Sequence, residues 1–260
     1  MTNGEIGDWA RNLLHGLDAP QPGWSFAPPA GLTMTAAYAL QRAVVRLREA
    51  RGERVIGYKI GCTSRVIQEQ LGVHEPIMGH LFDTGCIPAA SRISASRYAR
   101  LAIEGELAVR LSRDLPGVPL PDELYLEAIE SVFPVIELHH FALHGKEPSH
   151  SGLIATNGMH AGLVLPERET PYADFSHRVE ELTVTINEVH VGSTTEPWTM
   201  GGPAAALRWL SGRLDQLGER LTRGQVVLTG SALPLFPVAP GCRILAEARP
   251  IGRSHVEVSF

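Results

Sequence analysis

The order of apolar and polar positions along the chain predicts a helical start followed by a β-rich body. Apolar residues recur every three or four positions from Ile6 to Leu17, and again through "TMTAAYALQRAVVRLREARGE", which begins at Thr33 with a residue that caps helices. After Ile56 the apolar runs become short or alternating and are separated by Gly, Pro, Asp and Ser. The pattern predicts an α+β protein with an N-terminal helical arm over residues 1–55 and a β-rich body over residues 56–260, forming one structural unit.

Strands dominate the predicted elements of the body. Two helices are expected among them, "PDELYLEAIESV" and "GPAAALRWLSGRLDQLG", the second ending at Gly218. The predicted strands are, in chain order, "VIGYKIG", "LAIEGELAVRL", "FPVIELHHF", "HAGLVLP", "LTVTINEVHVG", "QVVLTGS", "RILAEARPIG" and "SHVEVSF".

Composition and charge narrow the class of protein. A net charge of -5 and no run of Lys and Arg argue against a nucleic-acid partner. The three cysteines are far apart and form no CxxC pair, which argues against a disulfide framework or a zinc knuckle. We expect a cytoplasmic protein with no membrane partner, because the start of the chain lacks the pattern of a secretory signal and no 18-residue apolar run occurs.

Three glutamates fall within predicted strands. Glu104 and Glu106 are two residues apart in "LAIEGELAVRL", so their side chains share one face of the strand, and Glu137 lies in "FPVIELHHF". Ionised carboxylates are costly to bury unless they are paired or bind a metal, and oxygen ligands suit Mg²⁺ or Mn²⁺. The alternative is that the pair forms one solvated face of a half-exposed strand.

A lysine lies between two glycines in the apolar stretch "GYKIGCTS". Near a carboxylate-bound metal, Lys59 would act as an acid/base group or hold an anionic part of a substrate. Gly61, Thr63 and Ser64 would supply backbone and hydroxyl donors to a substrate carboxylate. The alternative is a strand lysine that extends its amino group to solvent.

Several motifs in order resemble the fumarylacetoacetate hydrolase superfamily, and more narrowly its 2-keto-4-pentenoate hydratase and 4-oxalocrotonate decarboxylase branch. They are "GYKIGCTS", "GVHEPIMGHLFD", "IEGELAV", "VFPVIEL", "MGGPAAALRWL" and "GQVVLTGSALPLFPVAPG". The resemblance implies a mixed β-roll or barrel core, a divalent metal, Mg²⁺ or Mn²⁺, on Glu104, Glu106 and Glu137, a catalytic Lys59, and a small 2-oxo acid as substrate. It also implies a homo-oligomer with a role in aromatic catabolism.

Departures from the branch pattern concern the acid/base groups. Ile77 stands where hydratases of the branch have an aspartate, and "ATNGMH" keeps Asn157 as a substrate-binding residue but brings in a new histidine. Ser231 matches a position where relatives approach the substrate. Histidines also follow Glu137, and we select His140 and His160 as candidate catalytic groups from the set His139, His140, His144, His150 and His160. Each is open to a simple packing role.

Three functions remain open at this point. The first is a metal-dependent lyase that hydrates a 2-hydroxy-2,4-dienoate or its 2-oxo tautomer. The second is a decarboxylase of the 4-oxalocrotonate type, which Ile77 favours because loss of CO₂ needs no group to activate water. The third is a non-catalytic, metal-binding partner subunit, which the loss of two aspartates of the branch pattern, replaced here by Ile77 and Thr156, would suggest.

Overall fold

A computed structural model describes residues 1–20, 24–70, 75–141, 149–175 and 179–260. No helix within these ranges is both long and apolar enough to cross a membrane. The helices are α1 Asn3–Asp18, α2 Met34–Ala50, α3 Arg65–Gln70, α4 Asp122–Leu126, α5 His150–Ala155 and α6 Pro203–Gln216. The strands are β1 Val55–Gly61, β2 Ile77–Phe82, β3 Cys86–Pro88, β4 Ser91–Ser94, β5 Leu101–Leu111, β6 Ile129–His140, β7 His160–Leu165, β8 Thr170–Pro171, β9 Glu181–Ile186, β10 Val189–Thr194, β11 Val226–Leu228, β12 Phe236–Pro237, β13 Arg243–Arg249 and β14 Gly252–Ser259.

The strands form two sheets. The larger sheet has the order β2–β1–β11–β5–β6–β7–β3, with β12 beside β5 and β8 beside β6, and it curls into a half-barrel. The smaller sheet has the order β10–β9–β13–β14–β4. This mixed α+β architecture confirms the predicted fold class.

The smaller sheet packs against the back of β5. A Cβ atom on Gly105 would lie 2.4 Å from Val184 Cγ2 and 3.6 Å from the Cβ of Ala246, so only a glycine lets the sheets approach this closely. Ile103 and Leu107 are fully buried on the same face. Because side chains alternate along a strand, Glu104 and Glu106 point the other way, into the half-barrel.

The concave face of the half-barrel has an apolar middle. Next to the glutamates it is lined by a compact buried cluster that includes Ala108, Phe133, Val135 and Leu228. Beyond this cluster, Arg110 and Ser131 contact Glu169. The glutamates therefore border a dry apolar layer on one side.

The N-terminal helices dock on the edge of the larger sheet through α2. Its Gln41 Nε2 donates to the carbonyl oxygens of Met78 at 3.0 Å and Ile154 at 2.7 Å. The Tyr38 hydroxyl accepts a hydrogen bond from Met78 N at 3.3 Å. These bonds join the predicted arm over residues 1–55 to the predicted body over residues 56–260. The division into these two parts stays a prediction.

Two of the predicted elements are wrong. The helix expected over "PDELYLEAIESV" is only the short α4, because from Ile129 onward the chain pairs with β5 along its whole length, which overrides local helix propensity. The single strand expected over "LTVTINEVHVG" is a hairpin of β9 and β10. Its turn uses Asn187 and Glu188 with φ of 51° and 65°, the left-handed values of a two-residue hairpin turn.

Candidate active site

The register of β5 and β6 brings the three predicted glutamates onto one face. Glu104 lies directly opposite Glu137, and Glu106 lies opposite Val135 one step further along. Like charges directly opposite each other repel, so this arrangement requires positive charge nearby. Glu106 and Glu137 are buried, and the side chain of Glu104 is 22% exposed at the open side of the cluster.

The two oxygens of Glu137 have different surroundings. Oε1 lies 2.9 Å from Lys59 Nζ and 2.8 Å from His160 Nδ1, so Lys59 on β1 and His160 on β7 meet at one oxygen. Oε2 is buried and has no hydrogen-bond partner among the described residues. Glu137 Oε1 therefore contacts Lys59 and His160, and Glu137 Oε2 is available to bind a ligand.

Lys59 reaches Glu137 through a passage lined by glycines. A Cβ atom on Gly158 would lie 3.1 Å from Lys59 Nζ, and one on Gly79 would lie 3.1 Å from Lys59 Cγ. A Cβ atom on Gly61 would lie 3.6 Å from Lys59 Nζ. Burial opposes the charged form of this lysine, but the carboxylates of Glu137, Glu104 and Glu106 together raise its pKa above the ordinary value. Lys59 is therefore a fixed positive charge at neutral pH.

Glu106 is held by a backbone amide at the start of the segment after β11. Its Oε2 accepts a hydrogen bond from Gly230 N at 2.7 Å, while Oε1 is buried and unpaired in the described part of the chain. Burial and the neighbouring carboxylates of Glu137 and Glu104 raise the pKa of Glu106 well above its ordinary value. By contrast, Lys59 and the nearby histidines lower the pKa of Glu137 against the effect of burial. Without a cation, Glu106 therefore carries the proton of the pair.

His139 joins this cluster, and the selection of His140 and His160 missed it. It follows Glu137 by two residues on β6 and so shares the face of the glutamates. Its Nε2 lies 3.1 Å from Glu104 Oε2 and 3.6 Å from Glu137 Oε2. One atom each from Glu104, Glu137 and His139 lie within 4.8 Å of one another, a spacing that suits a metal ion. Its spacing of two residues from Glu137 is the sequence signal that would have identified it.

His140 lies on the other face of β6. Its Nδ1 accepts a hydrogen bond from Ala99 N at 3.4 Å, and its ring packs against Tyr98 with 5.5 Å between ring centroids. Burial, followed by the charges of His160 and His139, lowers the pKa of His140 to about 4. Strand alternation turns the side chain of His140 away from the carboxylates, so the structure does not bring this predicted catalytic residue to the cluster. His144 lies outside the described residues.

Asn157 and Ser231 are engaged with backbone groups. The Asn157 side chain donates to the His80 carbonyl at 2.8 Å and accepts from His80 N at 2.7 Å, which joins the turn before β7 to β2. The Ser231 hydroxyl donates to Leu233 O at 2.9 Å and lies 3.2 Å from Gly105 O. Both side chains shape the segments that carry site residues.

The segment after β1 lies beside the amide that holds Glu106. A Cβ atom on Gly230 would lie 2.7 Å from the Thr63 hydroxyl oxygen, so Thr63 packs directly against this glycine. Ser64 begins the turn into α3, where its carbonyl accepts from Gln68 N at 3.0 Å. Gly61, Thr63 and Ser64 thus continue from Lys59 towards the Gly230 end of the carboxylate cluster.

The donor set fits a divalent cation. Glu106 Oε1 and Glu137 Oε2 are buried carboxylate oxygens to which no group in the described ranges donates a hydrogen bond. Among the described residues, one ligand atom each of Glu104, Glu137 and His139 lies within 4.8 Å of the others, and Glu106 is not in that group. Burying carboxylate oxygens without compensation is costly, and a cation bound by the three glutamates would remove that cost. Glu104, Glu106 and Glu137 would hold the ion, and Lys59 would remain beside it.

A second polar cluster lies on the convex face of β1 and β2. His80 Nε2 lies 2.9 Å from Glu219 Oε2, and the Tyr58 hydroxyl donates to the same oxygen at 3.1 Å. Arg42 lies 3.4 Å from the other oxygen of Glu219, and all four residues line a cavity of about 320 Å³. Tyr58 and His80 are neighbours of Lys59 and Gly79 in the chain, so this cluster supports from behind the strands that carry the lysine.

Comparison with known proteins finds relatives that cover most of the chain. The chain is 34% identical to the 2-hydroxyhexa-2,4-dienoate hydratase of Comamonas testosteroni over 87% of this chain and 86% of that protein. It is 30% identical to the TodF product hydratase of Pseudomonas putida over 96% and 94% of the two chains. The solved structure of 4-oxalocrotonate decarboxylase from Pseudomonas putida G7, complexed with magnesium and adipate, has the same fold, with a TM-score of 0.92 over 99% of this chain and 98% of that chain at 22% identity. No family model matches the chain.

The curled mixed sheet has the fumarylacetoacetate hydrolase type of fold, and the hydratase and decarboxylase relatives identify the protein as a metal-dependent lyase. The chain belongs to the family of 2-keto-4-pentenoate hydratases and 4-oxalocrotonate decarboxylases.

Proposed function

We propose that this lyase hydrates a 2-hydroxy-2,4-dienoate, or its 2-oxo tautomer, to a 4-hydroxy-2-oxo acid. The observation that carries the proposal is the arrangement around Glu137, where one oxygen orients Lys59 and His160 and the other is free for a cation. Two relatives that cover most of the chain are named as hydratases, which supports hydration over other lyase reactions.

The proposed metal ligands are Glu104, Glu106 and Glu137, and the proposed ion is Mg²⁺ or Mn²⁺. Bound there, such an ion would act as a Lewis acid on the 2-oxo group and stabilise negative charge that develops on it. The protein supplies a buried apolar cluster next to the carboxylates, which limits access of bulk water from that side.

Lys59 would hold the negative charge of the substrate. Its ammonium group is buried and stays protonated because three carboxylates surround it, so it is a poor proton acceptor at neutral pH. Its role in this proposal is to donate hydrogen bonds to a substrate oxygen and to favour the enolate form. Backbone and hydroxyl groups of Gly61, Thr63 and Ser64 would bind the substrate carboxylate next to it.

His160 would accept a proton from the attacking water. An ionised Glu137 can only accept hydrogen bonds, so His160 Nδ1 must carry the hydrogen in their 2.8 Å contact. The lone pair of the neutral ring is then on Nε2, which is buried and unpaired among the described residues. Burial lowers the pKa of His160, which keeps the ring neutral and available as a base.

Decarboxylation of a vinylogous 2-oxo diacid is the second candidate, and Ile77 favours it. This side chain is 1% exposed, and a Cβ atom on Gly61 would lie 3.2 Å from Ile77 Cγ1, so an apolar wall stands where hydratases of the branch have an aspartate. Loss of CO₂ needs the stabilised enolate and no activated water.

Parallel assays separate the two reactions. Purified protein with excess Mg²⁺ would be given 2-hydroxypenta-2,4-dienoate and 4-oxalocrotonate, with dienol absorbance and released CO₂ followed together. Hydration predicts loss of dienol without CO₂, and it predicts that His160→Gln abolishes this loss. CO₂ release that survives His160→Gln would select the decarboxylase. Full activity of Glu104→Gln, or of the protein stripped of metal, would refute the metal centre.

The cellular setting and assembly remain proposals as well. We infer a cytoplasmic homo-oligomer that takes part in aromatic catabolism and acts on a small 2-oxo acid. Size-exclusion chromatography with light scattering tests the assembly directly, and a monomer at assay concentration would contradict it.

A further inference from the structure

We propose that His139 is a nitrogen ligand of the metal ion, and that it makes the site select a first-row transition cation such as Mn²⁺ over Mg²⁺. The inference rests on the proposed metal centre and adds to it a residue outside the three predicted glutamates. It concerns which ion the site takes, a property that the three glutamates leave open.

The surroundings of His139 are unusual for a buried histidine. The residue is 2% exposed, and neither Nδ1 nor Nε2 has a hydrogen-bond partner among the described residues. Leaving buried polar atoms unpaired costs about 1–3 kcal/mol each. An apolar side chain at this position would avoid that cost, so the imidazole needs a ligand to account for it.

The contact between His139 and Glu104 has the distance of a hydrogen bond without its alignment. Nε2 lies 3.1 Å from Glu104 Oε2, yet the contact does not satisfy hydrogen-bond geometry. The two atoms therefore stand side by side and do not point at each other. Ligand atoms about 2.1 Å from one ion and about 90° apart are separated by about 3 Å, so this spacing is that of neighbouring ligands of a shared cation.

Glu137 completes the same arrangement. Its Oε2 accepts no hydrogen bond from the described residues and lies 3.6 Å from His139 Nε2. Within the described ranges, one ligand atom each of Glu104, Glu137 and His139 lies within 4.8 Å of the others, which is close enough to share one ion. Strand geometry fixes these positions, because Glu137 and His139 are two residues apart on β6 and Glu104 lies opposite Glu137 on β5. The arrangement does not depend on a loop.

A nitrogen ligand changes which ion is preferred. Mg²⁺ and Ca²⁺ are hard cations that favour oxygen ligands, whereas imidazole suits borderline first-row cations. With three carboxylates alone, the site would serve Mg²⁺ well. With His139 added, the affinity for Mn²⁺ and similar cations rises, and that for Mg²⁺ changes little.

Pulsed electron paramagnetic resonance of the full-length protein loaded with Mn²⁺ tests the ligand directly. We expect the wild-type protein to show the ¹⁴N coupling of a directly bound imidazole, and we expect His139→Leu to lose it. His139→Gln is the second variant if the apolar substitution fails to fold. His140→Gln, on the same strand but the opposite face, is the matched control and keeps the coupling. His160→Gln excludes the other nearby imidazole and also keeps it.

Metal titrations by calorimetry give the second readout. Loss of His139 should weaken the affinity for Mn²⁺ by about 10- to 100-fold, which is the loss typical of mutating a residue around a metal site. It should change the affinity for Mg²⁺ by less than about threefold. A wild-type protein that binds Mn²⁺ without nitrogen coupling would overturn this inference and leave the proposed function standing. A wild-type protein that binds no divalent ion would overturn both.

Discussion

Glu106→Gln separates the electrostatics of the carboxylate cluster from its metal binding. Burial and the neighbouring carboxylate of Glu137 raise the pKa of Glu106 well above its ordinary value, which favours the neutral acid in the metal-free protein. Glutamine has nearly the same shape and is also neutral. Its carbonyl oxygen can accept from Gly230 N as Oε2 does at 2.7 Å, and its amide can donate towards Glu137.

The expected effect of Glu106→Gln on the free energy of unfolding is small in chelator and large when a divalent ion is present. In chelator, the substitution should change the free energy of unfolding by less than about 1 kcal/mol, because one neutral hydrogen-bonding group replaces another. A divalent ion at 100 times its Kd should stabilise the wild type by about 2.7 kcal/mol. If losing the ligand weakens binding about 100-fold, the same ion concentration stabilises Glu106→Gln by only about 0.4 kcal/mol.

Thermal unfolding with chelator and with metal is the assay. The difference of about 2.3 kcal/mol corresponds to a Tm gap of about 5–9 °C that appears only when metal is present. Glu130→Gln, an exposed glutamate on β6, is the control and should follow the wild type in both conditions. A loss of about 3 kcal/mol in chelator would show that Glu106 is ionised there. An undiminished gain with metal would show that Glu106 is no ligand. Either result refutes the reasoning.

Three further predictions concern the surroundings of the cluster. Gly158→Ala and Gly218→Ala both place alanine at a positive φ, 64° and 73°, and each should cost about 1 kcal/mol of stability by denaturant unfolding. Only the Cβ atom at position 158 would contact Lys59 Nζ, so only Gly158→Ala should lower kcat. Equal activities of the two variants would contradict the glycine-lined passage. Lys59→Met should cost about 3–5 kcal/mol in urea unfolding in chelator, because carboxylate charge loses its partner, and an unchanged midpoint would argue against the pair. The pKa of His140 is about 4 in the folded protein and 6.5 in the unfolded chain, so up to about 3 kcal/mol of the stability present above pH 6.5 is lost as the pH falls towards 4. Urea unfolding at several pH values measures this loss. His140→Gln should reduce it, whereas His190→Gln at an exposed position should not.

The sequence predicted those parts of the site that depend on strand alternation. Glu104 and Glu106 share a face because they are two residues apart, and the same rule applied to Glu137 would have selected His139 over His140. The pairing of Glu104 with Glu137 depends on the register of β5 against β6, which is set by the packing of both strands and not by either segment alone.

Contacts between distant segments were beyond the reach of sequence patterns. Nothing in "LTGS" indicates that the Gly230 amide binds Glu106, and nothing in "TNGMH" indicates that Gly158 gives Lys59 its room, since both depend on the curl of the sheet. The short α4 and the β9–β10 hairpin were missed for a related reason. Pairing with β5 overrides the helix propensity of the segment from Ile129, and pairing of β9 with β10 depends on the left-handed turn at Asn187 and Glu188.

The wide separation along the chain of the groups around Glu137 has a consequence for the order of folding. Lys59 and Gly230 come from opposite ends of the body. The strand β1, which carries Lys59, pairs in parallel with β11 only after nearly the whole chain has been made. Such long-range closure is slow. If β5 pairs with β6 before the lysine strand is in place, the glutamates would face each other without Lys59, and their charges would oppose collapse. Divalent ions in the refolding medium should then accelerate the last step.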